Sequence, residues 1–293
     1  MRIASLISSA TEMLFGIGLD DEIVAVSHEC DHPSQAALRP KASFTNIAAD
    51  APSALIDRQV KELVAAGKPL YEVDIDLLAE LRPDVIVTQA QCDVCAVRYD
   101  DVATAVAGEP SLRHTKLIAL NPMSLGDILS DIRRVAAEVG RAEAGERYAA
   151  SLAARIAAVA NRTATLSAAE RPLVACIEWI DPLMIAGNWN PELIHLAGGR
   201  QIWAEPGKHS TYTPWDDVRS ADPDVIVVMP CGFDQIRTER EAESLKELPG
   251  WQDLNAVRSG RVHCVDGNAL FNRSGPRLVD SLELLHKLLQ PAL

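Results

Sequence analysis

The chain has 293 residues, more than a single hydrophobic core usually fills, so its length favours two domains. Hydrophobic residues make up 48% and charged residues 24%, the balance of a globular protein, and no run approaches the ~20 apolar residues that cross a membrane. Lys and Arg number 28 against 41 Asp and Glu, a formal net charge of −13, which argues against a nucleic-acid partner because such a partner needs a basic face.

The N-terminal stretch MRIASLISSATEML predicts a short strand, RIASLI, and then a helix. Ser9 and Glu12 stand at the S-x-x-E spacing of a capping box, and Gly16 and Gly18 supply the stop. A second strand, EIVAVS, follows. These residues lack the charged start, long apolar core and small-residue cleavage site of a signal peptide. The chain as it stands is therefore expected in the cytoplasm, or in the periplasm if a leader has been removed.

EIVAVS runs into HECDHP, where His28, Glu29, Cys30, Asp31 and His32 can ionise, hydrogen-bond or bind metal. The bland alternative is a polar turn stopped at Pro33. The pentapeptide PDVIV then occurs twice, from Pro83 and from Pro223, an offset of 140 residues. The same offset lays Asp76 on Asp216 and Leu78 on Val218, so the preceding helices align as well. In each copy a helix stops before proline and a β-branched strand follows, apolar on both faces as a buried parallel strand is. Both strands run into loops with cysteine. The first, TQAQCDVC, offers Gln89, Gln91, Cys92 and Cys95, and the second, MPCGFD, offers Cys231 and Phe233. Cys-x-x-Cys is a spacing shared by metal sites and redox dithiols.

After the strand KLIAL, residues 124–166 have helical periodicity. Leu125, Ile128, Leu129, Ile132, Val135 and Val139 share a face, with Ser124 and Asp127 at the start and breaks expected at Gly140 and Gly145. Tyr148, Leu152, Ile156 and Val159 continue the spacing. A helix from Ala142 to Thr163 would be roughly 33 Å long, a rigid strut rather than a linker.

The second half repeats the opening logic with PLVACIEW, LMIAG and the helix NPELIHLAGG, for which Asn190 is the expected cap. Its loops present Glu178, Trp179, Met184 and Trp189, with Trp203 beyond. After RVHCVDG come Asn268, Phe271, Asn272 and Arg273, before a last helix near Pro276. Cys176 and Cys264, in apolar runs, are expected as buried core thiols.

Strands alternating with helices in both halves predict an α/β protein: two Rossmann-like lobes with mainly parallel sheets, residues 1–123 and 168–293, joined by a long α-helix within 124–167. Ligands of open parallel sheets bind beyond the carboxyl ends of the strands, which puts a cleft between the lobes. There is no Gly-rich phosphate loop with Lys, no G-x-S-x-G and no H-E-x-x-H, so the chain is not expected to be an enzyme.

The order RIASLISSATEMLFGIG, EIVAVSHECDHP, LRPDVIVTQ, the helical bridge, ADPDVIVVMP and GRVHCVDGN resembles the cobalamin-type substrate-binding proteins of ABC transporters. These are periplasmic binding proteins of the helical-backbone class, class III, and the resemblance covers nearly the whole chain. It is specific for the fold and less so for the ligand, because siderophore, haem and metal-ion binders share the framework. It implies a corrinoid, cobalamin or a relative, held between lobes that change shape little, and an ABC permease as partner. Carried over by position, the implied lining is Ser8, Ser9, His28, Glu29, Gln89, Gln91, Glu178, Trp179, Trp189, Phe233, Asn268, Phe271 and Arg273. The missing leader looks like a signal-less branch of that family. Transport members do not depend on a set such as Cys30, Cys92, Cys95 and Cys231. A thiolate site for zinc or an iron–sulfur cluster therefore stays open as a second expectation. A dithiol oxidoreductase using Cys92 and Cys95 is the third.

Overall fold

The computed structural model describes residues 1–90 and 97–290. The first half runs β1 (Ile3–Ser5), α1 (Ser8–Gly16), β2 (Ile23–Val26), β3 (Ser43–Thr45), α2 (Ser53–Ala65), β4 (Tyr71–Val73), α3 (Ile75–Leu81), β5 (Val85–Gln89), α4 (Tyr99–Gly108) and β6 (Lys116–Leu120). The bridge is α5 (Leu125–Glu138) and α6 (Ala142–Thr163). The second half runs β7 (Val174–Trp179), β8 (Met184–Ile185), α7 (Asn190–Leu196), β9 (Thr211–Tyr212), α8 (Trp215–Ala221), β10 (Val225–Val228), α9 (Gln235–Ala242), α10 (Asn255–Arg258), β11 (Val262–Cys264) and α11 (Leu278–Leu289).

The first lobe is built on a parallel sheet ordered β2-β1-β5-β6. Beside it β3 and β4 pair antiparallel, with α2 between them in sequence. We call residues 43–73 the flap. The second sheet is ordered β11-β10-β7-β8-β9. Its first three strands are parallel, and β8 and β9 add an antiparallel edge, so this sheet is mixed.

The two PDVIV copies occupy equivalent places. α3 and α8 end at Arg82 and Asp222, both left-handed with φ 45° and 46°, and the prolines that follow forbid a further turn. β5 and β10 are buried along their whole length. The aspartate of each copy clamps the opening of its lobe's first strand. Asp84 accepts from the Arg2 N–H at 2.7 Å, and Asp224 accepts from the Leu173 N–H at 2.8 Å. In return each aspartate N–H donates to the carbonyl of that same residue, at 2.8 and 2.9 Å.

Ser124 caps α5 as expected, its Oγ accepting from the Asp127 N–H at 3.1 Å. Gly140, at φ 73°, turns the chain into α6. Gly145 does not break the helix. It lies in the second turn of α6, where an added Cβ would stand 2.3 Å from the Ala136 Cβ, so it lets α5 and α6 approach closely. α6 packs against α5, α7 and α11. Arg155 on α6 pairs with Asp280 and Glu283 on α11 at 2.5 and 2.8 Å, fastening the strut to the second lobe. One continuous apolar core runs from Ile3 and Leu14 through Ile132 and Leu152 to Leu282 and Leu289.

Three local readings are corrected. Asn190 does not cap α7: it is the helix's first residue, Trp189 stands at the cap, and no side chain makes a capping bond. Ser9 and Glu12 form no capping box: the helix cap is Ile7, which makes no side-chain bond, and Glu12 turns to an arginine of the second lobe. Cys176 is fully buried, whereas Cys264 is only partly so. No helix among the described residues is long and apolar enough to cross a membrane.

Candidate functional site

The loops after β1, β2, β7, β10 and β11, with Gln89 at the end of β5, meet around a cavity of about 420 Å³ between the lobes. On the first-lobe wall, α1 directs its N-terminus at the cavity. Ser8 Oγ donates to the Glu29 carbonyl at 3.0 Å, and Ser9 Oγ is buried without a partner among the described residues. His28 follows β2. Its Nδ1 is 2.9 Å from Ser43 Oγ and its ring stacks on Tyr71 with centroids 5.6 Å apart. Its Nε2 lies 3.4 Å from Glu29 Oε1. Burial holds His28 below its ordinary pKa, opposed by Glu29 and reinforced by Lys41, so the ring is neutral at neutral pH.

On the second-lobe wall, Trp179 tilts over Phe233 at 5.5 Å, and the Arg237 guanidinium lies 3.6 Å from the Phe233 ring centre. Trp189 Nε1 donates to the Phe271 carbonyl at 2.8 Å. Glu178, at the end of β7, accepts from Ser210 Oγ at 2.7 Å. Burial pushes its carboxyl up, against the pull of Ser210 and of the Gly187 N–H.

Two sets of contacts join the lobes. On the bridge side Arg277 meets Glu12 at 2.6 Å and Arg273 meets Asp31 at 2.5 Å. On the flap side Arg237 donates to the carbonyls of Ala49 and Ala51 at 2.5 and 2.6 Å, and the Tyr212 hydroxyl donates to Asp57 at 2.8 Å.

A family model of periplasmic binding proteins matches residues 3–269. The chain belongs to the periplasmic binding protein family. It is 22% identical over 294 residues to the uncharacterized ABC transporter substrate-binding lipoprotein YvrC of Bacillus subtilis (strain 168), covering 99% of this chain and 80% of that one. It is 23% identical over 297 residues to the vitamin B12-binding protein of Vibrio cholerae, covering 96% and 86%. The fold is similar to the crystal structure of periplasmic vitamin B12 binding protein BtuF of Vibrio cholerae, with a TM-score of 0.71, 20% identity and coverage of 99% and 97%. It is equally similar to the periplasmic heme-binding protein RhuT from Roseiflexus sp. RS-1, with a TM-score of 0.71, 23% identity and coverage of 99% and 98%.

In this periplasmic binding protein, Ser8, Ser9, His28, Glu29, Gln89, Glu178, Trp179, Trp189, Phe233, Asn268 and Arg273 all stand on the cavity wall, with Cys231 among them. Phe271 does not. A single π-helical turn, Gly267–Phe271, carries its ring into the core, and only its carbonyl serves the wall through Trp189. Gly267 permits that turn, because a Cβ there would sit 2.3 Å from the Pro230 carbonyl oxygen. Cys30 is also buried, its sulfur 3.1 Å from Thr11 Oγ1. Gln91, Cys92 and Cys95 lie outside the described residues.

Among the described residues nothing supports a thiolate metal site. Cys30 faces the core and Cys231 the cleft, and among the described residues no group of three or more His, Cys, Asp and Glu is placed to hold a metal. Sequence reasoning missed the flap residues Ile47, Ile56, Asp57, Val60 and Tyr71, and the edge residues Asn188, His209 and Tyr212. Ile56 and Val60, one helical turn apart on α2, were the available signal.

Proposed function

We propose that this protein is the substrate-binding component of an ABC transporter and that its cleft takes a corrinoid, cobalamin or a close relative, for delivery to a permease. The observation that carries the reading is the composition of the wall. Tyr71, Trp179, Trp189, Tyr212 and Phe233 supply apolar faces, while Ser8, Ser9, Gln89, Asn188, Asn268 and Asn272 supply hydrogen-bonding groups between them. Flat aromatic surfaces interleaved with amides and hydroxyls suit a large ring with a polar fringe. The cavity volume lies within the ~300–1,000 Å³ range of small-molecule sites. The relatives that bind vitamin B12 support the choice of ring, and their being binding proteins supports carriage rather than catalysis.

One observation favours a second ring. His28 is a neutral imidazole with Nδ1 fixed by Ser43, the arrangement of an oriented nitrogen ligand, and a heme-binding protein shares the fold. Haem is therefore the alternative cargo.

Titration of the purified protein with cyanocobalamin, dicyanocobinamide and haemin, followed by absorbance and calorimetry, tests both. Saturable heat and a spectral shift with the corrinoids at micromolar protein are expected. Neither signal with either corrinoid overturns the corrinoid reading. A haemin spectrum altered by His28→Ala would transfer the assignment to haem.

A further inference from the structure

The cationic groups of the cleft are already engaged within the protein. Arg273 Nη1 donates to Asp31 Oδ1 at 2.5 Å, and its Nη2 donates to Asp31 Oδ2, Asn268 Oδ1 and the Glu29 carbonyl at 2.9, 3.0 and 3.2 Å. Arg237 gives both terminal nitrogens to the carbonyls of Ala49 and Ala51 and rests on Phe233, leaving only a buried Nε without a partner. Neither guanidinium offers a paired fork to an acidic ligand.

Glu178 is differently placed. It is largely buried, it lines the cavity, and the groups acting on it are two neutral donors, Ser210 and the Gly187 N–H, with no cation among them. Its charge reaches into the cleft, since it helps to raise the Cys231 thiol on the same wall. The Asn188 side-chain oxygen, also in the cavity lining, is buried without a partner among the described residues. This wall accepts hydrogen bonds. The facing wall offers donors at α1, although Glu29 also lines it. There Ser8 and Ser9 open α1, the first turn carries no acidic side chain, and its N–H groups have no intrahelical acceptors.

Primary amides suit both walls, since their oxygens accept from α1 and their N–H₂ groups donate to Glu178. A carboxylate satisfies only the first and meets Glu178 as a like charge. We propose that Glu178 is a specificity residue of the cleft, selecting macrocycles fringed with primary amides over macrocycles fringed with free carboxylates. This rests on the macrocycle reading above and deepens it. A carboxylate brought beside Glu178 would push its already raised carboxyl higher still, which favours entry of an acidic ligand together with a proton.

The test uses corrinoids that share a ring and differ at the fringe: dicyanocobinamide, with amides, and dicyanocobyrinic acid, with carboxylates. Each is titrated at pH 7.5 into the wild type, Glu178→Gln and Glu178→Asp. The wild type is expected to bind the amide form at least about tenfold more tightly than the acid. Glu178→Gln reduces that ratio to about threefold or less by tightening acid binding, and Glu178→Asp, which keeps the charge, preserves it. Should Glu178→Gln fail to fold, calorimetry of the wild type in two buffers of different ionisation enthalpy reads the same point. The acid takes up a proton on binding and the amide form does not. Equal affinities for the two fringes, an unchanged ratio in folded Glu178→Gln, or no proton uptake with the acid overturns the selectivity and leaves the corrinoid reading standing. No binding of either corrinoid overturns both.

Discussion

Arg277 Nη2 stands 2.6 Å from Glu12 Oε1, a pairing that ties together lobes whose residues lie 265 positions apart. The glutamate side chain is 4% exposed and the arginine 15%. Glu12 Oε2 and Arg277 Nε have no partners of their own among the described residues. Burial pushes the Glu12 carboxyl up despite the opposing pull of Arg277 and Arg273, so dehydration outweighs the pairing. The pair orients the lobes more than it stabilises them. Arg277→Met should cost about 3 kcal/mol, because it leaves Glu12 buried with its hydrogen-bonded partner gone and Arg273 standing off at 3.8 Å. Adding Glu12→Leu should recover most of that loss, since the uncompensated charge is gone. Denaturant midpoints of the three proteins check this. A double variant as unstable as the single one would show that the two charges do not act as a pair.

That pair also marks where the sequence could be read and where it could not. The PDVIV repeat was legible because its causes are local: a helix stop, a proline, and three apolar positions buried on both faces. Its offset of 140 residues recurs in the bounds of α3 and α8 and in the two left-handed residues that end them. Glu12 was misread because S-x-x-E is also a local pattern, while its partner is fixed only when the lobes meet. The flap was missed for a related reason. β3 and β4 have three residues each, too few to show an alternation, and Tyr71 of β4 reaches the cleft only through tertiary packing. Phe271 was assigned to the wall by position, and a single π-helical turn was enough to rotate it into the core.

Gly145 tests the close packing of the bridge. On an exposed helix, Gly→Ala stabilises by about 1 kcal/mol through propensity. Here an added Cβ would stand 2.3 Å from the Ala136 Cβ and 3.3 Å from the Ile132 carbonyl oxygen, both on α5. Neither neighbour is the tip of a flexible side chain, so α5 and α6 would have to separate. Gly145→Ala should therefore destabilise the protein by about 1–3 kcal/mol. Thermal unfolding measures it, and a raised Tm would mean that the two helices are not in contact there.

Cys231 gives a pH dependence with a definite sign. Its surface is open to the cleft, yet the surrounding walls, then Glu178 and Glu29, push the thiol up to about 12, with Arg273 opposing them. The thiolate is the reactive form, so alkylation is slow at pH 7–8 and keeps accelerating with pH instead of levelling off near the ordinary thiol range. Glu178→Gln removes one of the raising charges and should speed the reaction. Mass spectrometry of the iodoacetamide-labelled peptide carrying Cys231 reads the rate. Rapid labelling at pH 7 would contradict this environment.

Arg237 controls the flap side of the cleft. Its two bonds to the Ala49 and Ala51 carbonyls fasten the segment leading into α2, and its guanidinium rests on Phe233 within the wall. Tyr212 adds one bond to Asp57 on α2, with Lys61 lying 5.0 Å over its ring. A ligand crossing this side must part these contacts. Arg237→Ala removes both carbonyl bonds, each worth ~1 kcal/mol net, and should raise the rate of ligand association by about tenfold. The gain in affinity should be smaller than the gain in rate, because the same change strips the cation from Phe233 and hastens release. Tyr212→Phe removes a single exposed bond and should shift the rate by about threefold or less. Stopped-flow binding of a corrinoid supplies the rates, and hydrogen exchange across residues 43–73 supplies the flap's opening. Arg237→Ala with wild-type exchange in the flap and an unchanged association rate would show that ligand enters elsewhere and that these contacts do not gate the cleft.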